Sequence, residues 1–202
     1  MTDLAGRILA TPPKARRRLV AVAGPPASGK STLAETLAQT LPHAALVPMD
    51  GFHLDNRVLD ARGDRPRKGA PWTFDAAGFV ALCARLGSEE EVFYPTFDRA
   101  RDIAVAGSGQ IGPDTETVIV EGNYLLYAEA PWRDLAPLWD LSIWLEVPLP
   151  TLEARLRQRW ADLKLTLEET CAKVEENDLP NARLICENRL PADVEIGESS
   201  QL

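Results

Sequence analysis

Two glycines, a lysine and a hydroxyl residue stand at the spacing G-x-x-x-x-G-K-[ST] in Gly24-Pro-Pro-Ala27-Ser28-Gly29-Lys30-Ser31. Glycine lets the backbone curl close to a phosphate, and the curl aims several N–H groups inward as an anion nest. A helix that starts at the lysine adds its positive N-terminal end. In this pattern Gly24, Ala27, Ser28, Gly29, Lys30, Ser31 and Thr32 cradle the phosphates of a nucleoside triphosphate, ATP being the expected donor. Lys30 reaches the β- and γ-phosphates, and the Ser31 hydroxyl ligates Mg²⁺.

The motif needs a strand before it and a helix after it. Arg18 to Ala23 reads as a buried strand, and Thr32 to Thr40 as a helix with Leu33, Leu37 and Leu41 on one side. Further strands are expected at Ala45–Pro48, Thr117–Val120, Leu141–Val147 and Asp193–Ile196. Helices are expected at Asp75–Leu86, Thr151–Trp160 and from Thr166 to about Asn177. The alternation predicts an α/β fold: a three-layer α/β/α P-loop NTPase with a five-stranded, mostly parallel sheet covered on both faces. Residues 51–74 and 92–112 read as irregular, substrate-binding insertions in one domain spanning 1–202, with a lid near 155–166. Within the second insertion, Val92–Tyr94 is a strand candidate and Gly107–Gln110 a turn.

In such sheets the ligand lies at the carboxyl ends of the strands, and Gly24, Asp50 and Glu121 all fall just past predicted strand ends. Asp50 is placed to accept the proton of an acceptor hydroxyl. Glu121, after an apolar Val-Ile-Val run, reads as the acid that orients Mg²⁺ or its waters. Arg155 and Arg159 lie one turn apart on a helix and share a face, suited to charge on a transferring phosphoryl group, while Arg157 points elsewhere.

Composition sets bounds. The chain has 202 residues and a net charge of −8, an acidic balance that argues against nucleic acid as a partner. The run Lys14-Ala-Arg-Arg-Arg18 reads as a solvated approach to the first strand. Cys83, Cys171 and Cys186 have no metal spacing, and Cys83 reads as core filling. No apolar run approaches 18 residues, so no membrane span and a cytoplasmic location are expected.

Several segments carry a family resemblance. Met49-Asp-Gly-Phe-His53, Arg65-Pro-Arg-Lys-Gly-Ala-Pro71 and Thr73-Phe-Asp75 resemble the segment after the second strand of bacterial pantothenate kinases. Tyr94-Pro-Thr-Phe-Asp-Arg99 is similar to a substrate segment of uridine kinases, and Val118-Ile-Val-Glu-Gly122 to their Walker B strand. Asn177-Asp-Leu-Pro-Asn181 resembles an element near the pantothenate kinase C-terminus. From about residue 18 to 196 the chain resembles the small bacterial fructose transport system kinases, within the uridine kinase, phosphoribulokinase and pantothenate kinase superfamily.

The resemblance implies an ATP- and Mg²⁺-dependent phosphotransferase acting on a sugar, nucleoside or pantothenate-like alcohol. It implies that Asp50 is the base and that the Arg155–Arg159 helix leads into the lid. His53, Arg57, Lys68, Tyr94, Arg99 and Asn181 are then candidates to hold the acceptor. Tyr94 and Phe97 would supply apolar surface, and Lys68 and Arg99 would meet an anionic or polyhydroxyl group. The expected partner is a small molecule, with a homodimer allowed. The alternative is a nucleotide-binding NTPase or regulatory module without kinase activity. Against a guanine-nucleotide switch, no Asn is followed by Lys; against a transporter ATPase, Ser108-Gly-Gln110 lacks the second glycine of its signature.

Overall fold

The structure, a computed structural model, describes residues 2–197. Strands β1 (Arg18–Ala23), β2 (Ala44–Pro48), β5 (Thr117–Gly122), β6 (Leu141–Glu146) and β7 (Val194–Gly197) form one parallel sheet in the order β2-β5-β1-β6-β7. The central strand β1 pairs Val20 with Ile119 on one side and with Leu141 on the other.

Because side chains alternate along a strand, β1 feeds two cores. Leu19, Ala21 and Ala23 face a core with Phe79, Leu82, Cys83 and Leu86 of helix α4 (Ala76–Ser88). Val20 and Val22 face a second core with Ile8 of α1 (Thr2–Ala10) and Ala34 and Leu37 of α2 (Lys30–Thr40). Helices thus cover both faces, as the sequence pattern requires. Asp75 caps α4 by accepting a 2.9 Å hydrogen bond from the Gly78 amide, which fixes where the helix starts.

Four features differ from the sequence reading. Residues 51–74 are not irregular throughout: they contain α3 (Asn56–Arg62), capped by Asp55, and short 3₁₀ turns. Residues 92–111 form an antiparallel hairpin of β3 (Val92–Asp98) and β4 (Ile103–Ile111), so Gly107–Gln110 is strand rather than turn. A Cβ on Gly109 would stand 2.3 Å from the Tyr94 ring, so the glycine lets that ring lie flat across the hairpin.

Arg17 is the third departure. It lies in the run read as solvated, yet it is fully buried. Its guanidinium donates to the carbonyls of Thr115 (3.1 Å), Leu86 (3.1 Å) and Gly112 (3.0 Å) and to those of Glu89 and Glu90. One buried cation thereby ties the end of α4 and the loop between β4 and β5 to the base of the sheet.

Last, the predicted helix from Thr166 does not end near Asn177 but continues through a π-helical turn to Glu187. Helix α5 (Leu149–Asp162) precedes it; α6 (Leu167–Lys173) begins with a capping box of Thr166 and Glu169. A π-helical turn, Val174–Asp178, then joins α6 to α7 (Leu179–Glu187). Such turns are uncommon and re-aim side chains. Here the turn leaves Asn177 and Asn181 buried together.

Candidate active site

The glycine loop takes the shape its residue types demand. Ala27 and Gly29 adopt left-handed backbone at φ 63° and 95°, and α2 starts at Lys30. A Cβ on Gly24 would come within 2.7 Å of the Ser28 hydroxyl and 3.3 Å of Leu145. The Ser28 hydroxyl is buried without a partner. Lys30 is held below its ordinary pKa by burial, an effect that Glu121 and Asp50 oppose.

Glu121 is the penultimate residue of β5 and is 6% exposed. Its Oε1 accepts a 3.3 Å hydrogen bond from Ser31, while Oε2 is buried with no partner. Burial raises its pKa, and Lys30 pulls the other way. A hydroxyl and a carboxylate with one oxygen unsatisfied form a hard oxygen donor set, which fits Mg²⁺ completed by phosphate oxygens and water. The described residues contain no cluster of three or more His, Cys, Asp or Glu ligands, so the protein alone makes no closed metal cage.

Asp50 sits in the 3₁₀ turn Met49–Phe52 that follows β2. Its Oδ2 accepts a 2.5 Å charge-assisted bond from Arg99, and His53 Nε2 lies 4.0 Å from Oδ1. Burial would raise the Asp50 pKa, but Arg99, His53 and Lys30 overcome it and hold the carboxyl below its usual range. Gly51 is required beside it, since a Cβ there would stand 2.0 Å from the Pro95 carbonyl oxygen of the hairpin. Burial pushes His53 down to about 4, so at neutral pH it is an uncharged imidazole stacked 4.0 Å from Phe74.

A cavity of about 540 Å³ runs from the glycine loop to this acid. Most of the predicted site residues converge on it: Ala27, Gly29, Lys30, Ser31, Thr32, Asp50, His53, Lys68, Arg99, Glu121, Arg159 and Asn181. Gly24 and Ser28 shape the loop from behind. Arg155 reaches back to the Ala27 carbonyl at 3.4 Å, and Arg157 binds Glu153 and Glu175 instead.

Two candidates lie elsewhere. Tyr94 is 8% exposed in the main core, and its hydroxyl donates to the Leu46 carbonyl at 3.0 Å. The Arg57 side chain is 92% exposed and pairs with Asp55 at 3.0 Å. Neither is brought to the cavity.

The sequence reading also missed wall residues. Asp102, at the hairpin turn with φ 55°, accepts from Lys68 Nζ at 2.8 Å. Asn177 donates to the Lys68 carbonyl at 2.9 Å. Trp160 donates to Asp178 at 2.6 Å, with the cations of Arg159 and Lys173 over its ring at 5.6 and 5.8 Å. The Asn-Asp-Leu-Pro-Asn element was a signal for Asn177 and Asp178; nothing local marked Asp102.

No protein-family model matches the chain. Individual proteins do. A Schizosaccharomyces pombe protein named provisionally as a uridine kinase is 34% identical over 194 residues, covering 89% of this chain and 82% of that protein. The ATP-dependent kinase YFH7 of Lachancea thermotolerans is 31% identical over 192 residues, covering 74% of this chain and 55% of its own length. A crystal structure from Silicibacter sp. TM1040, described provisionally as a fructose transport system kinase, is 53% identical with a TM-score of 0.91 and covers 96% of this chain and 97% of that one. The fold and the glycine-loop cavity define a P-loop kinase. The chain belongs to the P-loop kinase superfamily that includes these uridine kinase-like and ATP-dependent kinases.

Proposed function

We propose that the protein transfers the γ-phosphoryl group of ATP to a hydroxyl of a small molecule, with Asp50 as general base. The observation that carries the reading is one cavity lined by Lys30, Ser31 and Glu121 at one end and Asp50 at the other. That arrangement supports donor and acceptor meeting over the strand ends, in line for displacement.

The loop amides and Lys30 bind the β- and γ-phosphates. Ser31 and Glu121 would hold Mg²⁺, which would supply neutralisation of the phosphate charge. Asp50 takes the proton of the acceptor hydroxyl as its oxygen bonds to the γ-phosphorus. The bond to the β,γ-bridging oxygen breaks, and ADP leaves with the electron pair. Arg159, from α5, meets charge on the transferring group, and α5 with the turn that follows serves as a lid. The name of one relative, uridine kinase, carries a hydroxyl-bearing nucleoside and supports this class of acceptor. No helix among the described residues is long and apolar enough to cross a membrane.

The test is acceptor-dependent ADP release over sugars, nucleosides and vitamin alcohols, with ³¹P NMR of the product. A phosphate monoester is expected. Inorganic phosphate at the same rate with and without acceptors contradicts the proposal and favours the non-kinase alternative.

A further inference from the structure

The two ends of the cavity differ in how their lining cations are paired. At the donor end, Lys30, Arg159 and Lys173 line the wall, and none has a carboxylate within salt-bridge distance among the described residues. That end is open to a polyanion, as a triphosphate requires. At the acceptor end each lining cation already has a carboxylate partner. Arg99 bonds Asp50 at 2.5 Å, Arg65 bonds Asp60 at 2.9 Å, and Lys68 bonds Asp102 at 2.8 Å. Lys68 has three protons to donate, and its other two partners are Asn56 Oδ1 at 2.8 Å and the Asp102 carbonyl at 3.0 Å. Arg67, behind the wall, spends Nε and Nη2 on Asn177 and Asn181 at 3.3 Å each.

The groups left without partners at this end are neutral. His53 Nδ1 and Asn123 Oδ1 are buried and unbonded, both residues line the cavity, and His53 is uncharged at neutral pH. The Asn123 oxygen is an acceptor, which a carboxylate or phosphate oxygen cannot satisfy and a hydroxyl can. Leaving such a group unpaired is costly, so it selects for a ligand that donates to it.

We propose that the acceptor is an uncharged polyhydroxyl molecule, not a carboxylate or a phosphate ester. Its reacting hydroxyl meets Asp50, and its remaining hydroxyls meet His53 Nδ1 and Asn123 Oδ1, with Phe74 and Phe97 against its carbon skeleton. Lys68 is a positioning residue: it fastens the hairpin turn at Asp102 to the loop after α3 and does not meet the substrate's charge. This inference rests on the kinase reading above and narrows it to one substrate class. Free sugars and nucleosides share this chemistry.

The experiment uses the full chain with ATP and Mg²⁺ and matched neutral and anionic pairs that leave the primary hydroxyl free in at least one anionic member: ribose with ribonate and ribose 5-phosphate, uridine with uridine 3′-phosphate and uridine 5′-phosphate, glycerol and glycerate, pantothenol and pantothenate. In parallel, a deproteinised yeast extract is split on successive cation and anion exchangers into uncharged and anionic pools, and ADP release is measured with each. The expected result is ADP release with the uncharged pool, and kcat/KM at least about a hundredfold higher for the neutral member of any pair that reacts. The separate pair members then tell a sugar from a nucleoside. Turnover confined to the anionic pool, or preference for anionic members, overturns this inference and leaves the kinase reading standing. No acceptor-dependent release from either pool or any pair overturns both.

Discussion

Replacing Arg99 by alanine removes the cation that sits on the proposed base, and the consequence for pH dependence can be worked from the structure. Arg99 Nη2 lies 2.5 Å from Asp50 Oδ2, with side-chain exposures of 62% for Arg99 and 22% for Asp50. Two unit charges about 4 Å apart attract by about 4 kcal/mol at an effective dielectric constant near 20. The exposure of Arg99 brings that down towards the ~1 kcal/mol upper range of solvent-exposed pairs. A shift of one pKa unit corresponds to about 1.4 kcal/mol, so the Asp50 pKa should rise by about one unit when the guanidinium is lost. The base works ionised, so activity falls as pH drops through this pKa. The acid limb of kcat/KM, which reports the free enzyme, therefore moves up by about one pH unit in Arg99→Ala. Arg99→Lys keeps the charge and should leave the limb near its wild-type position. Initial rates of ADP release from about pH 2.5 to 7 measure all three, since the wild-type limb lies below the ordinary carboxylate pKa of about 3.9. An acid limb that stays in place in Arg99→Ala would refute the electrostatic role given to Arg99 and the assignment of Asp50 as the titrating base.

Two further predictions concern what holds the site in place. Arg17→Met strands the carbonyls of Leu86, Glu89, Glu90, Gly112 and Thr115 without their donor. It should cost about 3 kcal/mol or more and lower Tm by roughly 6–12 °C, read by calorimetry; a drop under 2 °C would show that water replaces the guanidinium. Gly51→Ala forces a Cβ to within 2.0 Å of the Pro95 carbonyl oxygen, so the turn carrying Asp50 must move. The expected effect is a loss of about 1–3 kcal/mol in stability and a fall in kcat with little change in ATP affinity; unaltered kcat would mean the turn does not need its contact with the hairpin.

The glycine-loop half of the candidate site was legible because its residues are local in sequence. Gly24 to Ser31 lie within eight residues, and the apolar runs ending at Asp50 and Glu121 mark strand ends by composition alone. The opposite wall was harder to read because its partners meet only through the fold. Lys68 and Asp102 are 34 residues apart, and Asp102 lies on a hairpin whose second strand, Ile103–Ile111, is rich in Gly and Ser and buries only Ile111. Weak β propensity hid that strand, and only pairing with Val92–Asp98 forms it. Charge content misled in the same way at Arg17: in a run of four cations, which one turns inward depends on carbonyls gathered from loops about 70–100 residues away. The helical period from Thr166 onward could not show a π-turn, yet that turn brings Asn177 and Asn181 to one wall.

The central claim is that Asp50 activates an acceptor hydroxyl while the glycine loop independently grips ATP. Asp50→Asn tests it most directly, with ATP affinity measured by calorimetry and transfer by rapid-quench single turnover with a reactive acceptor. The account predicts ATP binding within about twofold of wild type and transfer slowed by about 10²–10⁴-fold. Transfer at the wild-type rate, with ATP binding intact, would contradict it.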